Sequence, residues 1–338
     1  MSTLQSGYHG TALAAAACEG QTQTVKFLIQ QGADINIPLQ MGMHGNSLAA
    51  AVWERAEIVD FLVPKGADMN VLLQGGMSGS ALAEARFLGK AEIAKFLVQK
   101  GADVNMLLQS GEFGSALAAA AAHGSTEIVK FLVQQGADVN MLLRSGDYGS
   151  ALAAAAFSGQ IETVKVLVQE GAKVNMLLQS GDYGGALAAA AVRGKPEIVK
   201  LLVQQGADIK MHLPCGDYSS AVVAAAAGGE PEIVEFLLRE GSTNMDTMFQ
   251  SVKHRSALAV AAYWGWIGRA ESLIDAGADV NFKLKSEHYG TALQASQVEV
   301  SQENRERTWW DERDEKTLKQ DKARVTELLQ RHGAINKA

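Results

Sequence analysis

The sequence repeats one stretch along almost its whole length, and the clearest copy runs from Gly114 to Asn140, GSALAAAAAHGSTEIVKFLVQQGADVN. Each copy closes on a glycine in a motif similar to GAD. That glycine recurs at Gly32, Gly66, Gly101, Gly136, Gly171, Gly206, Gly241, Gly277 and Gly333, which gives about nine copies with a period of 35 through the middle. A fixed period of this length predicts a solenoid, in which each copy packs only against its neighbours.

Each copy is predicted to contain two helices. In the clearest copy Ser115 precedes an alanine run that Gly124 ends, so we expect a helix over Ala116–Ala122 with Ser115 as its cap. A second helix is expected to begin near Thr126, because apolar residues recur there at helical spacing. The segment Met141–Tyr148 is predicted to be an extended connection to the next copy.

The pattern SALAAAAxxGxxEIVKFLVQQGADVN resembles the ankyrin repeat, and the resemblance covers essentially the whole chain. The letters YGTALQAS at 289–296 are similar to repeats of fungal ankyrin proteins. The resemblance implies an all-α repeat solenoid of ankyrin-type helix pairs joined by hairpin fingers, curved with a concave groove and used mainly to bind other proteins. Alanines such as Ala116 and Ala118 replace the family's proline and histidine, which removes the histidine that usually makes hydrogen bonds between repeats.

Composition and charge narrow the class of protein. A formal net charge of −7 provides no basic field for nucleic acid, and the longest apolar runs are too short to cross a membrane. Cys18 and Cys215 lie too many repeats apart to form a disulfide, so we expect reduced thiols and a cytoplasmic or nuclear location. We expect a single repeat domain over residues 1–338, with a charged insertion at 300–322 within the last repeat.

Both ends of the sequence carry an expectation. LQSGYHGTAL at 4–13 matches LQSGDYGGAL at 178–187, so the chain starts inside a finger. Two alternatives follow: the chain is a piece of a longer array, or the first helix pair serves as its own cap. In the charged insertion, Trp309 and Trp310 are predicted to fold back on the array and not to bind a partner.

Positions that differ between otherwise similar copies indicate where function lies. One group sets an acid beside an aromatic residue in successive fingers, which predicts a surface for a basic or amphipathic partner at the border of the groove. Aspartate after glycine is also a common turn residue, and this is the structural alternative. The members of this group are Glu112, Phe113, Asp147, Tyr148, Asp182, Tyr183, Asp217 and Tyr218.

A second group lies at the end of the first helix of each copy. Large side chains next to alanines predict recognition by burial in a contact. The alternative is that these rings stack between neighbouring repeats. The members predicted to bind are Trp53, Phe87, His123, Phe157, Arg193, Tyr263 and Trp264.

Two charged residues interrupt the alanine-rich first helix of the third copy. Glu84 and Arg86 occupy positions that are alanine in most other copies. A guanidinium at a packed position needs a polar partner or water. The alternatives are a local ion pair and an anion or ligand site that Arg86 forms with His123 and Arg193.

The function predicted from these patterns is binding of a basic or amphipathic peptide or protein domain through an acidic and aromatic groove. One alternative is a small-molecule binder or unconventional enzyme that uses general acid–base residues of repeats 3 to 6, and a second is a structural segment of a larger protein. The sequence has no GxxxxGK, GxSxG or HExxH motif, so no cofactor and no metal site are predicted. The catalytic candidates of the enzyme alternative are His123, Asp147, Asp182, Tyr148, Tyr183, Glu84, Arg86 and Arg193.

Overall fold

A computed structural model describes the chain at residues 10–37, 39, 44–73, 79–213, 218, 220–228, 230–241, 257–275, 278–283, 290–300 and 314–335. Every regular element in these ranges is helical, as predicted. No helix in this part of the chain combines the length and apolar character that a membrane span requires. The chain divides into two compact units, Met1–Asp182 and Tyr183–Ala338, and each is described by itself.

The first compact unit consists of stacked helix pairs. Its helices are α1 (Ala12–Cys18), α2 (Thr22–Gln30), α3 (Ser47–Glu54), α4 (Ala56–Leu62), α5 (Ala81–Phe87), α6 (Ala91–Gln99), α7 (Ala116–Ala122), α8 (Thr126–Gln134), α9 (Ala151–Phe157) and α10 (Ile161–Gln169). A 3-10 turn at Val63–Lys65 follows α4. The odd-numbered helices pack against one another in chain order, and each even-numbered helix packs against the helix before it.

The second compact unit repeats this plan. Its helices are α11 (Ala186–Val192), α12 (Pro196–Gln204), α13 (Ala221–Gly228), α14 (Pro231–Gly241), α15 (Ala257–Tyr263), α16 (Ile267–Asp275), α17 (Ala292–Gln297) and α18 (Glu315–Arg331). Residues 315–322, which the sequence assigned to a charged insertion, form the first turns of α18. Trp309 and Trp310 lie outside the described residues.

The clearest copy of the repeat forms helices at the predicted places. The Ser115 hydroxyl accepts a hydrogen bond from the Ala118 amide at 3.1 Å, which caps α7. Gly124 has a φ of 68°, a left-handed conformation that ends the first helix at little cost only in glycine. The alanines of α7 are buried, so neighbouring first helices approach closely. Each second helix completes the core with branched residues, as Ile128, Val129 and Leu132 do in α8.

Asparagines that stand two residues after several of the GAD-like motifs form a ladder that joins neighbouring repeats. Asn105 Nδ2 donates to the Gly136 carbonyl at 2.8 Å, and Asn105 Oδ1 accepts from the Asp138 amide at 2.7 Å. Asn36, Asn70 and Asn140 make the same two bonds to the next repeat. In the second compact unit, Asn281 bonds Gly333 and Ile335 in this way. Hydrogen bonds between repeats are therefore made here by asparagine, a role that the sequence did not predict.

Replacing Asn105 with alanine is expected to lower the free energy of unfolding by about 1–2 kcal/mol, because two hydrogen bonds to the next repeat are lost. Urea unfolding followed by circular dichroism measures this change. Gln134→Ala is the matched control, since Gln134 is an exposed amide at the end of α8. Equal stabilities of the two variants would contradict the role of the ladder.

Candidate functional site

Three acidic residues lie in a column on successive fingers of the first compact unit. The Leu108 amide donates to the Gly114 carbonyl at 3.0 Å, and the Leu143 amide donates to the Gly149 carbonyl at 3.0 Å, which closes the two fingers. Neighbouring fingers are joined by the Asp147 amide, which donates to the Glu112 carbonyl at 3.0 Å. The Asp182 amide donates to the Asp147 carbonyl at 2.9 Å in the same way. Glu112, Asp147 and Asp182 are all exposed, and we call them the acidic column.

The middle carboxylate of this column is partly removed from water. Burial raises the pKa of the Asp147 carboxyl above its ordinary value, because the charged form loses hydration. A cation placed beside a carboxylate favours the charged form and lowers the pKa again. Asp147 is therefore an acid whose ionised form would gain from a cationic partner.

The aromatic residues that follow the acids point the other way. Phe113 is 3% exposed and Tyr148 is 9% exposed, and their rings stack at 6.0 Å with an interplanar angle of 17°. Successive side chains of an extended segment alternate between faces, so an exposed acid is followed by a buried ring. These two predicted binding residues thus pack between repeats.

Two residues of the second predicted group contact this buried pair of rings. The exposed His123 meets Phe113 edge-on at 5.8 Å, and the half-buried Phe157 lies 5.4 Å from Tyr148. His123 and Phe157 end the first helices of their repeats, next to the fingers. The structure therefore brings His123 and Phe157 against two buried rings, each of which follows an acid of the column in sequence.

A buried polar chain crosses the first three repeats. The Trp53 indole N–H donates to a carboxylate oxygen of Glu84, which is 1% exposed. Trp53 also meets the His44 ring edge-on at 5.2 Å, and His44 Nε2 lies 3.2 Å from Cys18 Sγ. Burial raises the pKa of the Cys18 thiol, and the neighbouring Glu19 and Glu54 raise it further, so the thiol stays protonated. The predicted binding residue Trp53 is thus held by the interior of the array.

The predicted residues of the second compact unit divide by exposure. Arg193 is exposed, and Tyr183 and Tyr218 are half-buried. Tyr263 and Trp264 are buried, at 7% and 8% exposure. Asp217 lies outside the described residues, and so does the side chain of Phe87, which belongs to the first compact unit.

Two cations lie over rings of the aromatic cluster that contains Tyr263 and Trp264. Lys322 Nζ lies 4.8 Å from the centre of the Tyr263 ring. Trp264 stacks on Trp266 at 6.1 Å, and Arg269 lies 3.6 Å above Trp266. Tyr263 and Trp264 therefore pack inside the second compact unit, where their rings contact each other and Trp266 of the same repeat.

The candidates of the enzyme alternative do not share one environment. Glu84, Arg86 and Tyr148 are buried, whereas His123, Asp147, Asp182 and Arg193 are exposed and Tyr183 is half-buried. Over the described ranges, no three His, Cys, Asp or Glu side chains are arranged to hold a metal ion. The exposed acids of this group lie in the acidic column of the first compact unit, and their exposure separates them from the buried Glu84, Arg86 and Tyr148.

Comparison with protein families agrees with the helix pairs. A sequence model of ankyrin repeats matches the chain in three copies, at residues 2–72, 81–177 and 187–283. The chain belongs to the ankyrin-repeat family. Ankyrin repeats generally mediate interactions between proteins. None of the curated proteins matches this ankyrin-repeat chain.

One buried lysine of the ankyrin array was missed by sequence reasoning. Lys322 is 8% exposed, and its Nζ donates to the carbonyls of Tyr263 at 2.7 Å, Ala295 at 3.4 Å and Val298. When the repeats are aligned, Lys322 occupies the position just before the second helix of the other copies, although here it lies within the long helix α18. Lys90 and Lys195 occupy the same position there and are half-buried, so the residue type alone does not mark Lys322.

Proposed function

We propose that this ankyrin-repeat chain binds a basic or amphipathic segment of another protein along the acidic column of Glu112, Asp147 and Asp182. Membership of the family supports a protein partner. The observation that carries the proposal is the pair of backbone hydrogen bonds that aligns these exposed acids on successive fingers. Because the backbone already holds the acids in place, the array loses little conformational freedom when a partner binds.

Charge supports a cationic partner. Asp147 is already partly desolvated, which disfavours its charged form. Lysine or arginine side chains spaced along a peptide would relieve this cost. Charge complementarity of this kind chiefly raises the association rate and excludes acidic partners.

The rings beside the column support an amphipathic partner. Phe157 contacts Tyr148 and His123 contacts Phe113, and each of these two rings follows an acid of the column in sequence. An apolar side chain of the partner would cover the half-buried Phe157 ring, while cationic side chains meet the acids. Arginine suits this surface best, because its planar guanidinium can both pair with a carboxylate and lie on an aromatic face.

The proposed location is the cytoplasm or the nucleus, where cysteine thiols stay reduced. A protonated Cys18 thiol beside His44 supports this placement. Intact folding and partner binding in the presence of a strong thiol reductant would be consistent with it.

Reversing two charges of the column is expected to weaken binding at least tenfold, which corresponds to about 1.4 kcal/mol. Peptides are first selected on the wild-type chain from a random displayed library, and their affinity for Asp147→Lys plus Asp182→Lys is then measured by calorimetry. We expect the selected peptides to be rich in arginine and lysine, and their affinity to fall as salt is added.

The control carries the same change of charge on the second helices. Glu127→Lys plus Glu170→Lys alters two exposed acids of the same compact unit, away from the fingers. This pair is expected to keep most of the affinity. An equal loss in both double variants, or selection of peptides without basic residues, would sink the proposal.

A further inference from the structure

We propose that Arg86 binds a small inorganic anion, of the size of chloride, inside the first compact unit. Arg86 lies on α5, the first helix of the third repeat, which packs between α3 and α7. Its side chain is 0% exposed. The corresponding residues of the flanking helices, Val52 and Ala121, are also fully buried, so the guanidinium occupies a layer that small apolar side chains fill in the neighbouring repeats.

Among the described residues, two nitrogens of the guanidinium have no protein acceptor. Arg86 Nε and Nη1 are buried, and no described residue accepts a hydrogen bond from either of them. No carboxylate of the described residues forms an ion pair with Arg86. Glu84, the nearest acid in sequence, bonds the Trp53 indole. A local ion pair, one of the two alternatives from the sequence, is thus not formed.

The charge of Arg86 persists despite its burial. Burial lowers the pKa of the guanidinium to about 10, which still leaves it protonated at neutral pH. A buried positive charge without a counter-charge is strongly unfavourable, and buried charges in proteins are normally paired. The interior around Arg86 therefore requires negative charge.

Size decides which kind of anion can meet this need. A side chain of a partner protein cannot contact a residue that is 0% exposed unless the stacked helices separate. A water molecule can accept hydrogen bonds from these nitrogens but does not neutralise the charge. Nε and Nη1 lie on different edges of the planar group, so a monatomic anion would take one of them and a water the other.

Thermal unfolding in two salts of equal ionic strength tests the site. Sodium chloride is compared with sodium gluconate, whose anion is too large for a closed layer. For the wild-type chain we expect a higher unfolding midpoint in chloride, with an increment that saturates as chloride replaces gluconate. Arg86→Met, which keeps the length of the side chain without its charge, is expected to show the same midpoint in both salts.

Two further variants and one direct measurement keep the test decisive. Arg86→Lys retains the charge and should retain a chloride effect. Arg144→Met removes an exposed arginine of the same compact unit and should keep the full effect. Crystals grown in bromide should show an anomalous peak within hydrogen-bond distance of the Arg86 guanidinium. The same chloride response in wild type and Arg86→Met, or a bromide crystal with only water at Arg86, would overturn the proposal.

Discussion

The Gly114→Ala variant is expected to be less stable than the wild-type chain by about 2–5 kcal/mol, from left-handed strain and overpacking together. Gly114 has a φ of 70°, and a Cβ atom on it would lie 2.5 Å from the Ser145 carbonyl oxygen and 3.0 Å from Leu143 Cβ. These atoms cannot move aside easily. The Ser145 hydroxyl donates to the Leu108 carbonyl, and Leu108 in turn closes the finger by bonding Gly114.

Gly136 provides the matched comparison for this variant. Its φ is 88°, but a Cβ atom there would meet nothing within 4 Å. Gly136→Ala is therefore expected to cost about 1–2 kcal/mol, the strain of a left-handed alanine alone. Urea unfolding followed by circular dichroism separates the two effects. If both variants lose the same stability, contact between fingers does not constrain Gly114.

Raising the pH from 7 to 10 is expected to stabilise the second compact unit by about 2–3 kcal/mol through Lys322, at about 1.4 kcal/mol per pKa unit. Burial lowers the pKa of the Lys322 amine from 10.5 to about 8, although Glu299 acts in the opposite direction. Below pH 8 both the folded and the unfolded chain hold this proton. Between pH 8 and 10.5 the folded chain releases the proton while the unfolded chain keeps it, so folding becomes more favourable as the pH rises.

Comparison with Lys322→Met isolates this contribution from other alkaline titrations. The free energy of unfolding of each protein is measured by urea at a series of pH values, and the wild-type curve is expected to rise relative to that of Lys322→Met. Lys316→Met, which removes an exposed lysine of the same helix α18, should follow the wild type. Parallel curves for the wild type and Lys322→Met would show that Lys322 titrates normally in the folded chain.

Local signals made the helix pairs predictable. Ser115 and Gly124 set the limits of α7, and the glycine of each GAD-like motif follows a second helix whose apolar face recurs at helical spacing. The same cap and glycine signals recur in successive copies, so each copy independently supports the same pair of helices. The start of α18 was not predictable from the sequence, for the opposite reason. Its first turns have a charged composition without an apolar stripe, and no other copy resembles them.

Side-chain environments were less predictable, because they depend on residues a full period away. Asp147 and Tyr148 are adjacent in sequence and were predicted to act on one surface, yet only Asp147 is exposed. Tyr148 is buried because Phe113 of the previous finger stacks on it. The bond from Trp53 to Glu84 likewise joins two repeats. The sequence showed that Glu84 replaces an alanine, but it did not show that Trp53 of the previous repeat is its hydrogen-bond partner.

The asparagine ladder bears on how such a chain can change in length during evolution. Asn105 recognises only main-chain atoms of the following repeat, at Gly136 and Asp138. Asn140 makes the same contacts with Gly171 and Lys173. Lys173 replaces the aspartate of the GAD motif, so the side chain at this third position of the motif does not affect the contact. Deleting residues 106–140, one whole period, would leave Asn105 before the same backbone pattern. Loss of a whole copy that carries this asparagine therefore leaves the remaining rungs of the ladder intact, whereas a deletion of a few residues would break one.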